Sequence, residues 1–218
     1  EHKNHETLLQ ALSRRRRRDV PVAFCGYGTE QIGASGLAEQ AHINRINRLI
    51  RDRGLVAGKD FVSLGYVDDA TASSLLQAAA GLVMPTRAEG MGLPIHEAID
   101  SRVPVICSDI EVLREHYDAR SNAIRWVDPE CPSDIAAALD HVADHADELR
   151  SVAAANRGCG RTWDDIATTT VAVLRQAMDG FSTPPAGSSP PVTDRRRWFG
   201  SGKFRGPKRF LKKIGFLR

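Results

Sequence analysis

Nine residues, Glu89-Gly90-Met91-Gly92-Leu93-Pro94-Ile95-His96-Glu97, are the stretch of this chain best suited to chemistry. They follow a short apolar run, Leu82 to Met84, and open a helical pattern from Leu93 to about Ser101. Glycines at 90 and 92 let the backbone approach a ligand closely and adopt conformations closed to other residues. Pro94 suits the first helical turn, where its missing N–H is not needed. The free amides of that turn, with the helix dipole behind them, form an anion site, and a diphosphate is its natural guest. Glu97 lies one turn inside the helix, where a carboxylate can accept hydrogen bonds from a ribose diol, as the acidic residue of dinucleotide folds does. Glu89 stands at the mouth of the loop. His96 lies between the turn and Glu97, where packing or capping is its expected role.

A site of this kind needs strands to carry it. Val20 to Cys25, Phe61 to Leu64, Leu82 to Met84, Val103 to Cys107 and Ile124 to Val127 read as short apolar strands. Gly26 and Gly28 close the first, and Gly65 closes the second. Helical patterns separate them, over residues 3–18, 37–53, 71–80 and 93–101, with a short helix beginning at Ser108-Asp109. The alternation predicts an α/β fold, a Rossmann-like parallel sheet flanked by helices. Continuously apolar strands imply that both sheet faces are covered. Residues 135–142, 144–155 and 163–178 read as helices only. The arginine run Arg14–Arg18 is expected at the solvated C-terminal end of the first helix, where positive charge suits the dipole, with a ligand site as the alternative. Cys131 stands where a capping Asp is common, so that helix start is expected to lack a side-chain cap.

Composition narrows the classes. With 218 residues and 42% hydrophobic content, the chain can bury a core. No stretch of about 18 apolar residues is present, so no spanning helix is expected. The opening at Glu1, without Met or a signal-peptide pattern, points to a truncated chain. The four cysteines are far apart and none has CxxC spacing, which argues against zinc. Cys25 and Cys107 sit in strand patterns and are expected as buried free thiols, which fits a reduced, cytoplasmic setting.

Charge is uneven. From Thr193 onward ten Lys/Arg face one Asp, nine net positive charges; with +3 overall, the rest of the chain carries six net negative ones. The Pro/Ser/Gly-rich residues 181–192 read as a linker. The tail, 193–218, interleaves its cations with Trp198, Phe199, Phe204, Phe210, Leu211, Ile214, Phe216 and Leu217. Two readings stand side by side: a disordered solubilising tail, and a helix lying on an anionic membrane surface, which would make the protein peripheral at the inner membrane face. A nucleic-acid partner is not expected, because no recognised nucleic-acid motif accompanies the charge.

The wider run from Met84 to Ala98 (MPTRAEGMGLPIHEA), with Val103 to Asp109 (VPVICSD), closely resembles the retaining glycosyltransferases of family 4. Their signature, two glutamates separated by seven residues, is met by Glu89 and Glu97. Glu1 to His5 (EHKNH) resembles the family's lysine segment, and Phe61 to Val67 (FVSLGYV) its FLG-x-V strand and turn. Ser108 to Arg114 (SDIEVLR) and Asp128-Pro129 also fit, so the resemblance runs from about Glu1 to Met178. It implies the C-terminal, donor-binding half of a GT-B fold over residues 1–180. It places Glu89 near the transferred sugar and Glu97 on the ribose. The amides of Gly90, Met91, Gly92 and Leu93 would meet diphosphate and sugar hydroxyls, and Lys3 would neutralise the departing phosphate. Main-chain atoms at Tyr66 and Val67 would read the base.

The resemblance further implies a nucleoside-diphosphate sugar as donor substrate, with no metal or other cofactor called for by the sequence. The acceptor-binding N-terminal domain is expected to be missing from this chain, leaving it an incomplete enzyme. Two rivals remain at this level. One is a nucleotide-sugar epimerase of the same architecture; the other is a non-catalytic module that only binds nucleotide sugars.

Overall fold

The computed structural model describes residues 2–36, 38, 40–117, 124–155 and 163–180. The chain divides into two units, Glu1–Gly160 and Arg161–Arg218. Of the second, only helix α8 (Trp163–Gly180) is described, so the linker and basic tail expected over 181–218 lie outside the described residues.

The first unit alternates strand and helix in the expected order. It comprises α1 (His5–Leu12), β1 (Val22–Cys25), α2 (Ala41–Asp52), β2 (Phe61–Gly65), α3 (Asp69–Ala78) and β3 (Leu82–Met84). Then follow α4 (Leu93–Asp100), β4 (Val105–Ser108), α5 (Glu111–Tyr117), β5 (Ile124–Val127), α6 (Pro132–Asp144) and α7 (Ala146–Ala155). Every strand pairing is parallel, as crossover helices require. The hydrogen bonds form two ladders, β1–β2 and β3–β4–β5, where the sequence suggested a single sheet.

The pleat of β4 shows how the layers are organised. Ile106 joins the core formed by α1, α2 and α6 with β1 and β2, whereas Val105 and Cys107 join the core of α4 and α5. Alternate side chains therefore enter two cores, so helices cover both faces of this strand, and all four of its residues are buried. Ile106, Val127 and α6 residues Ile135, Leu139 and Val142 belong to the same core cluster as Phe24 and Phe61. Apolar packing thus spans the gap between the two ladders.

β1 departs from the expectation. Val22 and Phe24 are buried, but Ala23 and Cys25 are exposed. Cys25 is therefore not the buried thiol its apolar neighbours suggested. One face of β1 is covered by the core of α1 and α2, while α3, the next crossover helix, buries none of its residues. Cys107 is buried as expected, and burial pushes its thiol up to about 12.

The arginine run is a second correction. α1 stops at Leu12, and Arg14 and Arg15 donate back to the carbonyl of Ala11, turning the chain out of the helix. Arg14 Nη1 donates to Ser133 Oγ at 2.8 Å, while the amides of Arg16 and Arg17 donate to Asp140 at 2.8 and 2.9 Å. The guanidinium groups of Arg16 and Arg17 pair with Asp144. Arg18 forms a two-pronged bond to Asp60 at 2.6 and 2.7 Å, and Asp60 also accepts from the Val56 amide at 2.8 Å. The run is an ionic seam fastening the α1 exit to α6 and to the start of β2. At the start of α6, Cys131 makes no side-chain cap. Asp134 instead accepts from the Asp128 amide at 2.8 Å.

Candidate functional site

The glycine turn stands at the C-terminal end of β3, the end of a parallel strand at which open α/β sheets bind ligands. Gly92 is the N-cap of α4 with φ 72°, a left-handed conformation that glycine adopts without strain. A β-carbon there would lie 3.1 Å from Ile95 Cδ1 and 3.2 Å from Leu113 Cδ2. Gly92 is therefore fixed by both dihedral and packing. Gly90 differs: a β-carbon there would meet nothing within 4 Å. Packing does not demand Gly90, so its bareness leaves room for something else.

Tyr117 sets the direction of the turn. Its ring is buried against α4, and its hydroxyl approaches the carbonyl oxygens of Met91 and Gly92 at 2.9 and 3.3 Å. Among the described residues, no backbone carbonyl accepts from the amides of Gly90, Met91, Gly92 or Leu93. The carbonyls of Met91 and Gly92 are anchored by Tyr117, and the four amides are the orphan donors that a helix start leaves.

Lys3 and Glu89, 86 positions apart, meet here, with Lys3 Nζ donating to Glu89 Oε1. The lysine side chain is 44% exposed and the carboxylate 13%, so the pair forms a lip over the turn that solvent can still reach. Asn4 explains why Lys3 arrives. It adopts φ 59° and is buried, donating from Nδ2 to the carbonyls of Pro85 (2.8 Å) and Pro129 (2.7 Å). Its Oδ1 accepts from Thr7 at 2.6 Å. One amide side chain thus ties the start of α1 to the segments leaving β3 and β5, and aims the preceding residue at the glycine turn. The single Thr86 hydroxyl proton is shared between the carbonyl oxygens of His2 and Ala88, both 2.9 Å from Oγ1, while the Arg87 amide donates to the His2 carbonyl at 2.8 Å.

Glu97 lies on the exposed side of α4, one turn from Gly92. His96 pairs through Nδ1 with Asp100 at 3.1 Å. Arg87 holds Glu130 in a two-pronged bond at 2.6 and 3.1 Å. That guanidinium keeps the Glu130 carboxyl below its usual range. Tyr66, 60% exposed, and Val67, half-buried, follow Gly65 (φ 67°). The Gly26 amide donates to the Gly65 carbonyl at 2.8 Å, joining the loops beyond β1 and β2. The sequence reading missed Asn4, Tyr117 and Glu130. Only Asn4 carried a signal, since Asn is among the few residues at ease at positive φ. Among the described residues, no cluster of three or more His, Cys, Asp or Glu could hold a metal ion.

The two glycines have separable effects. Gly92→Ala is expected to lower unfolding stability by roughly 1–2 kcal/mol through left-handed strain and crowding. Gly90→Ala should leave stability within about 0.5 kcal/mol, as for an open surface site. Its methyl group should still weaken an anionic ligand at the turn. Urea melts and calorimetry with a nucleoside diphosphate check both.

A parallel α/β fold whose glycine turn opens a helix at the C-terminal end of a strand belongs to the class of open α/β domains that place ligands at strand ends. The chain belongs to the group 1 glycosyl transferases, whose family model matches residues 1–145. It is similar to the O-antigen chain mannosyltransferase B of Escherichia coli, at 35% identity over 114 residues, covering 50% of this chain and 28% of that protein. In structure it resembles a glycosyltransferase from Rickettsia africae, with TM-score 0.61, 16% identity, and 82% and 45% of the two chains covered. It also resembles Anabaena HepE in complex with UDP and glucose, with TM-score 0.57, 18% identity, and 84% and 46% covered. These structures share the GT-B fold with it. The chain spans less than half the length of each.

Proposed function

We propose that this chain is the donor-binding, C-terminal half of a retaining glycosyltransferase of family 4, whose donor is a nucleoside-diphosphate sugar. The observation carrying this reading is the glycine turn: Tyr117 holds its carbonyls, its amides are unused, and the Lys3–Glu89 pair sits at its lip. The HepE structure, obtained with UDP and glucose, supports a nucleotide sugar as the guest. The mannosyltransferase relative supports a hexose and a role in surface-polysaccharide synthesis. The family match favours transfer over epimerisation.

In this reading the bond between the anomeric carbon and the diphosphate oxygen breaks, and an acceptor hydroxyl forms a new bond on the same face of the sugar, its proton passing to the departing diphosphate oxygen. Negative charge grows on the departing phosphate. The turn amides and Lys3 stabilise that charge more in the transition state than in the ground state. Glu97 accepts hydrogen bonds from the ribose, and backbone at Tyr66 and Val67 meets the base. Acceptor binding is assigned to a domain outside these 218 residues, so the chain alone binds donor and transfers little.

Calorimetry against a panel of nucleoside diphosphates and their sugars tests this. Binding is expected for one base. Glu97→Ala should weaken it about 10- to 100-fold, the loss of one or two hydrogen bonds to a charged group. Nucleosides lacking phosphate should bind far more weakly than diphosphates. Equal affinity for the two would remove the turn as a phosphate site.

A further inference from the structure

The two ladders have the order of the two ends of one sheet. In the common doubly-wound order 3-2-1-4-5-6, position 1 separates the pair 3-2 from the trio 4-5-6. The ladders β2–β1 and β3–β4–β5 reproduce that pair and that trio, all parallel. The helix faces agree. Right-handed crossovers among positions 1, 2 and 3 lie on one face of such a sheet, and those among 4, 5 and 6 on the other. Here α1 and α2 belong to one core, α4 and α5 to the other. α1 leads into β1, so it holds the place of the crossover out of position 1.

Three features leave position 1 open to a further strand. The first is a pair of unused edges. The amides of Val22 and Gly26 donate to Asp60 and Gly65 on the β2 side, so alternation turns those of Ala23 and Cys25 to the opposite edge. The Leu82 amide donates to Pro104 beside β4, which turns that of Val83 away from β4. Among the described residues, no strand pairs with either edge. The second is a core that stops short. The core of α4 and α5 contains no residue of β1 or β2; Ala23 and Cys25 are exposed, and α3 buries nothing. The third is the placing of α1. The His2 carbonyl accepts from Thr86 and Arg87, just past β3, and Asn4 bonds Pro85 and Pro129. α1 therefore starts at the C-terminal ends of the parallel strands, where a chain leaving position 1 must emerge.

We propose that an extended segment of about five residues docks between β1 and β3 as a parallel strand, and that this segment is the polypeptide leading into Glu1 in the natural protein. Its side chains are apolar on both faces, because it lies between the core of α1 and the unfinished core of α4. Docked there, it joins the two ladders and extends the second core toward β1. Sheets of this order bind ligands where positions 1 and 4 diverge. In the donor reading, on which this last step rests, the strand completes the floor beneath Lys3 and the glycine turn.

Amide hydrogen exchange on two chains tests this: the 218 residues, and the same chain extended upstream by about ten natural residues, enough for one strand and its exit. In the extended chain the amides of Ala23, Cys25 and Val83 should exchange about 10³-fold or more slowly, since strand-paired amides deep in a sheet exchange only on unfolding. The added residues should show nuclear Overhauser contacts to both β1 and β3. A proline in the middle of the added stretch should abolish both effects, because it breaks the ladder. The whole enzyme, measured in the same way, should match the extended chain. Unchanged exchange at the three amides, or contacts to one ladder only, would overturn the proposal. So would protection that appears in the 218-residue chain as its concentration rises, which assigns the edges to a second copy. UDP is titrated into both chains by calorimetry, and on the donor reading it binds the extended chain more tightly. Protection gained without UDP binding would sink the donor reading and leave the strand in place.

Discussion

On the proposed donor-half reading, Lys3→Ala in the whole enzyme is expected to lower kcat about 10²- to 10³-fold, the usual cost of removing one preorganised charge donor from a transition state. KM for the donor should change much less, because the lysine's contribution grows as the phosphate departs. The structure adds a feature that separates this loss from simple weakening of binding. The lysine rests on Glu89, whose carboxylate is mostly shielded from solvent. Removing Lys3 alone leaves that carboxylate uncompensated beside an incoming diphosphate. Diphosphate affinity of the chain should therefore fall more in Lys3→Ala than in the double variant Lys3→Ala/Glu89→Ala. Such neighbours are expected to be non-additive. Lys3→Arg should recover affinity better than rate, since a guanidinium keeps charge but not the position of a point ammonium. A rate within threefold of the parent's for Lys3→Ala would remove the lysine from the reaction.

Asp60→Ala is expected to be strongly destabilising for a change at a charged residue of the first unit. The carboxylate is almost wholly buried (2% exposed), accepts both prongs of Arg18 and also holds the Val56 amide. Truncation leaves the half-buried Val56 amide and the Arg18 guanidinium without their acceptor. Full loss of a buried ion pair costs about 3–5 kcal/mol, but Arg18 is 38% exposed and can rehydrate. The expected loss is therefore about 2–3 kcal/mol, or roughly 5–10 °C in Tm for a domain of this size. Asp60→Asn retains an acceptor and should lose less. The pH dependence has a definite sign. Arg18 holds the Asp60 carboxyl below its ordinary range, so its stabilisation is fully present above an unfolded value of about 3.9. It is lost as pH falls through the lower folded value. The difference in Tm between parent and Asp60→Ala should shrink on acidification across that window; a difference independent of pH would show that packing, not charge, is the source.

The arginine seam shows where reading in one dimension stops. Five consecutive arginines look like a solvated helix end, because the partners that order them are more than 40 or 100 positions away, at Asp60, Asp140 and Asp144. Cys25 makes the same point: an apolar tetrapeptide looks buried on both faces, but which faces find a helix depends on crossover placement. Burial of β4 was legible because a middle strand between two parallel neighbours is covered on both sides.

The sequence by itself determined the order of strands and helices, the parallel pairing, the position of the glycine turn and the two glutamates that flank it. These follow from short-range causes: apolar periodicity, the freedom of glycine, and the orphan amides of a helix start. Tertiary structure alone decided which remote groups complete the turn. Lys3 reaches Glu89 because buried Asn4 clasps the exits of two strands. The turn's amides have no backbone acceptor among the described residues, while Tyr117, from the next helix, holds the carbonyls of Met91 and Gly92. Such contacts join residues 25 to 125 positions apart, and no local pattern encodes them. Their geometry exists only once the strands have set the distance between the loops.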